Sequence, residues 1–200
     1  MKALVTGGAG FIGSHLVDEL LKRNFKVVVI DNLSTGKIKN LRHVKKKIKF
    51  IKCDLYKNKK LYKLIGNVNY VFHLAGLSKV SESIKNPQKY YKANFLGTLN
   101  LLNSISKKKL RKIIFSASAS CYGNPKEIPT SEKAKIETLS PYALTKWMSE
   151  KIILERAKIY NFQAISLRLF NVYGPRSTAM NAYSSVISIF LKQKLSKKPL

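Results

Sequence analysis

The chain has 200 residues, enough for one domain with a substantial buried core, or for one domain and the start of a second. An apolar share of 45% and an aromatic share of 10% fit a globular chain and exclude a disordered one. The formal net charge of +28 raises the nucleic-acid class. However, the lysines are spread over surface-type positions such as Lys45 to Lys47 and Lys107 to Lys109. No aromatic-interleaved basic motif or helix-turn-helix pattern accompanies them, so no specific nucleic-acid partner is expected.

No apolar run approaches the roughly 20 residues that cross a bilayer, and no membrane partner is expected. Met1 and Lys2 lead straight into a strand-like run with no cleavage site after it, which makes the cytoplasm the expected location. Cys53 and Cys121 sit in apolar segments without metal-ligand spacing. They read as small core residues, and no metal site is expected.

Along the chain, strand-like and helix-like segments alternate. Residues 2–6 form an apolar strand, and 11–23 have helical spacing with Leu16, Leu20 and Leu21 on one side. Strands follow over 26–30 and 48–53, a helix over 56–65, and a strand over 69–73. Next come a long helix over 87–107, a strand over 113–116, a helix over 141–160 and a strand over 164–169. A loop over 171–181 and an amphipathic helix over 182–194 close the series. Nearly all-apolar strands alternating with helices imply a parallel sheet buried on both faces. The expected fold is α/β, a doubly wound three-layer αβα sheet, with residues 1–170 as one domain and 171–200 as an incomplete second one.

The first strand runs into Thr6-Gly7-Gly8-Ala9-Gly10-Phe11-Ile12-Gly13. Glycines 7, 10 and 13 suit a tight turn, a close approach of backbone to a pyrophosphate and close packing of helix on strand. The phosphates would then meet the positive end of the helix that starts near Phe11. Asp31 ends the second strand, 18 residues after Gly13. A carboxylate there accepts hydrogen bonds from the adenosine ribose and repels a 2′-phosphate, so NAD is favoured over NADP. The alternative is that Asp31 caps the turn Asn32-Leu33-Ser34. Asp54 ends the third strand, where it would meet the adenine, or else cap a turn of its own.

Tyr142 and Lys146 stand four apart on one helix face. A nearby ammonium favours a phenolate, which would make Tyr142 a general base. Ser118 falls at the carboxyl end of the fifth strand, where ligands bind in open α/β sheets. It would hydrogen-bond the hydroxyl that Tyr142 deprotonates. The alternative is a serine-rich turn that satisfies its own backbone, a role better suited to Ser116 and Ser120.

With these residues in hand, the chain resembles the extended short-chain dehydrogenases, in particular the NAD-dependent 4-epimerases of nucleotide sugars. The matching segments are TGGAGFIGSHL at 6–16, DNLSTG at 31–36 and HLAG at 73–76. SESIKNPQKYYKANFLGTLNLL at 81–102, FSASASCYG at 115–123, SPYALTK at 140–146 and LRLFNVYGPR at 167–176 continue the match. The resemblance implies a Rossmann fold with NAD as cofactor. Gly7, Gly10, Phe11, Ile12 and Gly13 would hold the pyrophosphate. Asp31, Asn32 and Ser34 would meet the ribose side, and Asp54 and Leu55 the adenine. Leu74, Ala75, Gly76 and Asn94 would line the middle of the cofactor, with Phe170 and Val172 near its nicotinamide. Ser118, Tyr142 and Lys146 would be the catalytic three, and Asn171 would approach the phosphates of a nucleotide-sugar substrate such as a UDP-sugar.

The implied activity is 4-epimerisation of the UDP-glucose/UDP-galactose type by transient hydride transfer through a 4-keto sugar. No acid lies between Ser116 and Gly123, which argues against the dehydratases and decarboxylases that resemble this family. Members run to roughly 300 residues or more, so this chain is expected to lack most of the sugar-nucleotide pocket. A sugar-nucleotide reductase or dehydrogenase, and a non-catalytic NAD-binding fragment, are the other readings. Relatives often dimerise through two helices, here 87–107 and 141–160, so a homodimer is expected.

Overall fold

A computed structural model of the chain describes residues 1–58, 60–177 and 186–197. Six strands, β1 (Lys2–Thr6), β2 (Lys26–Asp31), β3 (Ile48–Lys52), β4 (Tyr70–His73), β5 (Lys112–Ser118) and β6 (Gln163–Leu169), form one sheet in the order β3-β2-β1-β4-β5-β6. Every pairing is parallel. The order reverses between β1 and β4, and at such a switch point the loops leaving two neighbouring strands part and open a crevice.

The alternation along each strand builds the layers. Val27 and Val29 join Ala3, Val5, Val17 and Leu20 on one face, under α1 (Phe11–Lys22) and a 3₁₀ segment, Ile38–Lys47. Val28 and Ile30 turn the other way, onto Leu4, Leu101, Phe115 and Ile153. That second face is covered by α2 (Leu61–Ile65) and by two helices described below. Burial of a large aliphatic side chain of this kind contributes about 1.5–3 kcal/mol, so the two clusters hold the layers together. At the edge strand β6 the cover is one-sided: Ile165 and Leu167 are 42% and 44% exposed.

Several boundaries differ from the sequence reading. The helix expected over 56–65 is reduced to α2, because the Asn58 side chain accepts from the Lys60 amide and forms a local turn there. The helix expected over 87–107 is preceded by a separate α3 (Val80–Lys85) and is itself composite. It comprises α4 (Pro87–Tyr90), a π-helical turn (Tyr91–Leu96) and α5 (Gly97–Ser104), and stops where Ile105 turns extended. Strand β5 runs to Ser118, two residues further than expected, so the serine ends the strand and opens the turn after it. Cys121 is buried as expected, whereas Cys53 is only partly so and lines the crevice.

The long helix α6 (Pro141–Tyr160) starts as expected: the Ser140 hydroxyl accepts from the Ala143 amide and Pro141 occupies the first turn. Together with α5, it completes the cover of the second face. Beyond β6, residues 170–177 form a loop, and α7 (Val186–Leu195) accounts for most of the last expected helix. The rest of that loop and the first residues of that helix, 178–185, lie outside the described residues. Among the described residues, no helix is long and apolar enough to cross a membrane.

Candidate active site

The turn after β1 is fixed by backbone geometry. Gly7 adopts a φ of +70° and donates to the Ile30 carbonyl at 2.8 Å, which pulls the turn against β2. A Cβ at Gly7 would lie 2.8 Å from the Ala75 amide nitrogen, and one at Gly13 would lie 2.2 Å from the Gly7 carbonyl oxygen. Neither contact is tolerable, so both positions require glycine. Gly10 caps α1 without a side chain, leaving the first amides of that helix to be satisfied from outside the chain. Gly7 and Gly10 line the crevice, while Gly13 acts by packing helix on strand and Phe11 and Ile12 begin α1 beside it.

Asp31, 7% exposed, closes the far side of this turn. Its carboxylate accepts from the Ala9 amide at 2.9 Å and from the Leu33 amide at 2.8 Å. It caps the turn, as one sequence reading had it, and it also lines the crevice, with acceptor capacity left on both oxygens. Burial pushes its carboxyl up, and the two amides pull it back. Asp54 behaves alike, accepting from the Tyr56 amide at 3.2 Å while the Asn32 side chain donates to its other oxygen at 3.2 Å.

Asn32, Ser34, Asp54, Leu55, Leu74, Ala75 and Gly76 all line the same crevice. The sequence reading missed Thr35, Leu77 and Ala93 on its wall. Thr35 stands inside the quoted 31–36 segment, so adjacency alone could have flagged it. Asn94 is placed differently from the expectation. It is 3% exposed and lies behind the 74–77 loop, where its amide bonds both backbone groups of Leu77 and the Thr145 hydroxyl.

Ser118, Tyr142 and Lys146 converge at the end of β5, each at most 8% exposed. The Ser118 hydroxyl is hydrogen-bonded to the Tyr142 phenol. It also accepts from the Ser120 amide at 3.2 Å and from the Ser120 hydroxyl at 2.8 Å, so Ser118 itself caps the short 3₁₀ turn Ala119–Tyr122. The turn role assigned to Ser120 thus runs through Ser118. Lys146 donates its ammonium to the Ser116 carbonyl and lies 4.7 Å over the Phe115 ring. Burial lowers its pKa to about 8.

The expected lowering of the Tyr142 phenol by an adjacent ammonium is not produced by the chain's own groups. Burial pushes the phenol up, and the bond with Ser118 offsets only part of that. The physical reason is that the ring sits in the protein interior, where the neutral phenol is favoured over the charged phenolate. His73, fully buried behind this group between the Thr6 and Thr98 hydroxyls, is held neutral with a pKa of about 3, by burial first and by the charge of Lys146 second.

A second polar cluster escaped the sequence reading. Arg168 of β6 bonds Glu150 of α6 at 2.7 Å, the Tyr122 hydroxyl at 2.7 Å and the Glu132 carbonyl at 3.1 Å. It ties the segment after Ser118 to the helix that carries Tyr142. Spacing in sequence gives no sign of this, since the partners lie 18, 46 and 36 positions away. Phe170, Asn171 and Val172 follow β6 and are exposed, outside the crevice lining.

The cradle fits a dinucleotide: two glycines where a side chain would clash, an uncapped helix start, and a buried carboxylate with acceptors to spare at the neighbouring strand end. Comparison with known proteins agrees. A putative UDP-glucose 4-epimerase of Methanocaldococcus jannaschii is 38% identical over 198 residues, 98% of this chain and 63% of that protein. A UDP-N-acetylglucosamine 4-epimerase of Methanobrevibacter ruminantium superposes with a TM-score of 0.91 at 37% identity, covering 98% of this chain and 63% of the other. A Thermus thermophilus UDP-glucose 4-epimerase solved in complex with NAD gives 0.88 at 34% identity, covering 100% and 64%. The chain thus spans somewhat less than two thirds of the length of these relatives. The family model for NAD dependent epimerases and dehydratases matches residues 3–200, and the chain belongs to that family.

Proposed function

We propose that this chain carries the cofactor-binding and catalytic part of an NAD-dependent 4-epimerase acting on a nucleotide sugar of the UDP-glucose/UDP-galactose type. The observation that supports it best is the convergence of Ser118, Tyr142 and Lys146 at the end of β5, beside the glycine cradle. NAD, when bound, supplies reversible oxidation and reduction at the sugar C4. Tyr142 takes the proton of the 4-hydroxyl through its phenol oxygen and returns it after the 4-keto sugar has turned over. Ser118, already bonded to that phenol, orients it, and its single hydroxyl proton turns to the sugar oxygen once substrate enters. Lys146, fixed by the Ser116 carbonyl, presents its remaining protons to a ribose hydroxyl. Asp31 and Ser34 hold the adenosine ribose, and Asp54 and Leu55 flank the adenine. Phe170 and Val172 approach the nicotinamide, and Asn171 the phosphates of the sugar nucleotide. In this reading residues 1–170 are the cofactor domain and 171–200 begin the substrate-binding one.

A homodimer belongs to the same proposal. A groove between the π-helical turn and α6 is lined by Phe95, Trp147, Met148 and Ile152, together with Lys151 and Glu155, and Leu96 beside it is 45% exposed. On α6, Ile153 is buried in the core, Ile152 packs partly against it and reaches the groove, and Trp147 and Met148 line the groove beside it. Sedimentation equilibrium tests it: a dimer is expected, and a monomer at micromolar concentration refutes it.

Activity is tested by incubating the protein with NAD⁺ and UDP-galactose while following UDP-glucose and the absorbance of reduced nicotinamide. Product without net NADH is expected. Accumulating NADH would point to a dehydrogenase, and bound NAD⁺ without product to a binding module.

A further inference from the structure

The parallel sheet sorts the charge of this chain. All six strands start at one end, fed there by residues 1–2, 22–26, 45–48, 63–70, 105–112 and 156–163. Those segments hold fifteen Lys and Arg and no Asp or Glu. Twelve of the fifteen are exposed, Lys45 to Lys47 and Lys107 to Lys109 among them. Six of the chain's ten acids (Asp31, Asp54, Glu82, Glu127, Glu132 and Glu137) lie instead in the connections that leave the opposite end, where the crevice is. Fifteen of the chain's 28 net positive charges therefore lie on the face turned away from the site.

Exposed apolar groups share that face. Met1 is 64% exposed and Ile159 63%, and Tyr160 holds the Lys107 ammonium 3.5 Å from its ring centroid. A basic surface studded with apolar and aromatic tips suits the boundary between headgroups and acyl chains. Two further features favour lipid over nucleic acid. Twelve of the fifteen cations are Lys, a point charge suited to diffuse attraction, and not the Arg fork that reads phosphates and bases in pairs. The cavity at this end, between Leu102, Lys107, Arg156 and Tyr160, holds about 10 Å³, room for one water and not for a base.

We propose that the strand-start end of the sheet docks on an anionic lipid surface, leaving the crevice open to the aqueous phase. The lack of a spanning helix bears on crossing a bilayer and not on lying against one. Each basic residue close to such a surface strengthens partition roughly fivefold, and the effect fades beyond a Debye length of about 10 Å.

The test is co-sedimentation of the protein with vesicles of phosphatidylcholine, alone or with about 30% phosphatidylserine. Binding is expected only with phosphatidylserine, and it should weaken as salt rises. The triple variant Lys107→Gln, Lys108→Gln, Lys109→Gln is expected to lower partition at least about tenfold. The triple variant Lys126→Gln, Lys133→Gln, Lys135→Gln removes equal charge from the opposite end and is expected to change it less than about twofold. Circular dichroism establishes that both sets remain folded. Equal losses in the two variants would show that net charge alone drives binding and overturn the proposal. So would absence of binding to phosphatidylserine, or release from the vesicles by a single-stranded RNA oligonucleotide at equal phosphate concentration.

Discussion

The Asn94 side chain pairs with Leu77 as a neighbouring strand would, accepting from its amide at 2.8 Å and donating to its carbonyl at 3.1 Å. The second amide proton reaches the Thr145 hydroxyl at 3.2 Å. One buried residue on a π-helical turn thereby couples the loop that walls the crevice to the helix that carries Tyr142 and Lys146. Asn94→Ala leaves the half-buried backbone groups of Leu77 partly unpaired, at a cost of about 1–3 kcal/mol. Urea unfolding should show it, and calorimetry should show weaker NAD binding in the same variant.

Tyr142→Phe removes the phenol oxygen but keeps the ring, which packs edge-on against Tyr90 with centroids 6.4 Å apart. Turnover of a UDP-sugar is expected to vanish while NAD binding, read by calorimetry, stays within about twofold. Full activity in this variant would refute the assigned role.

Asp31→Asn keeps the shape but loses the charge and one of the two acceptors that the Ala9 and Leu33 amides use. Two separate losses follow. NAD affinity falls by about 1–3 kcal/mol, and stability falls as well because the turn is no longer fully capped. A variant that lost affinity alone would show the capping bonds to be dispensable.

Glu150 is 3% exposed and faces the Arg168 guanidinium. The carboxylate holds that guanidinium above its usual range. Glu150→Ala leaves a partly buried cation without its partner, with an expected loss of about 3 kcal/mol by thermal or urea unfolding. The double change Glu150→Ala with Arg168→Met should recover part of it.

His73 gives the pH dependence its sign. Its pKa is lowered in the folded chain to about 3, against 6.5 unfolded, so the unfolded state takes up a proton first. Stability is therefore complete above 6.5 and lost as pH falls from there toward 3, at up to about 1.4 kcal/mol per pH unit. His73→Gln is expected to be less stable at neutral pH but to show a flatter slope across that window in urea midpoints against pH.

Much of this was open to reading from sequence because the signals are local. Strand-helix alternation is dictated by which residues are apolar, and the glycine turn by where a Cβ cannot fit. Gly7, Gly13, Asp31, Ser118, Tyr142 and Lys146 were all identifiable from position and spacing. The tertiary structure decided what depends on distant neighbours. It broke the 87–107 helix at a π turn, where Asn94 found its partners in Leu77 and Thr145. It buried Tyr142, which reversed the expected direction for its phenol, and it brought Arg168 to Glu150, Tyr122 and Glu132. Spacing along the chain determined which residues reach the strand ends. Burial and pairing, set only once six strands share one sheet, determined the charge each of them holds there.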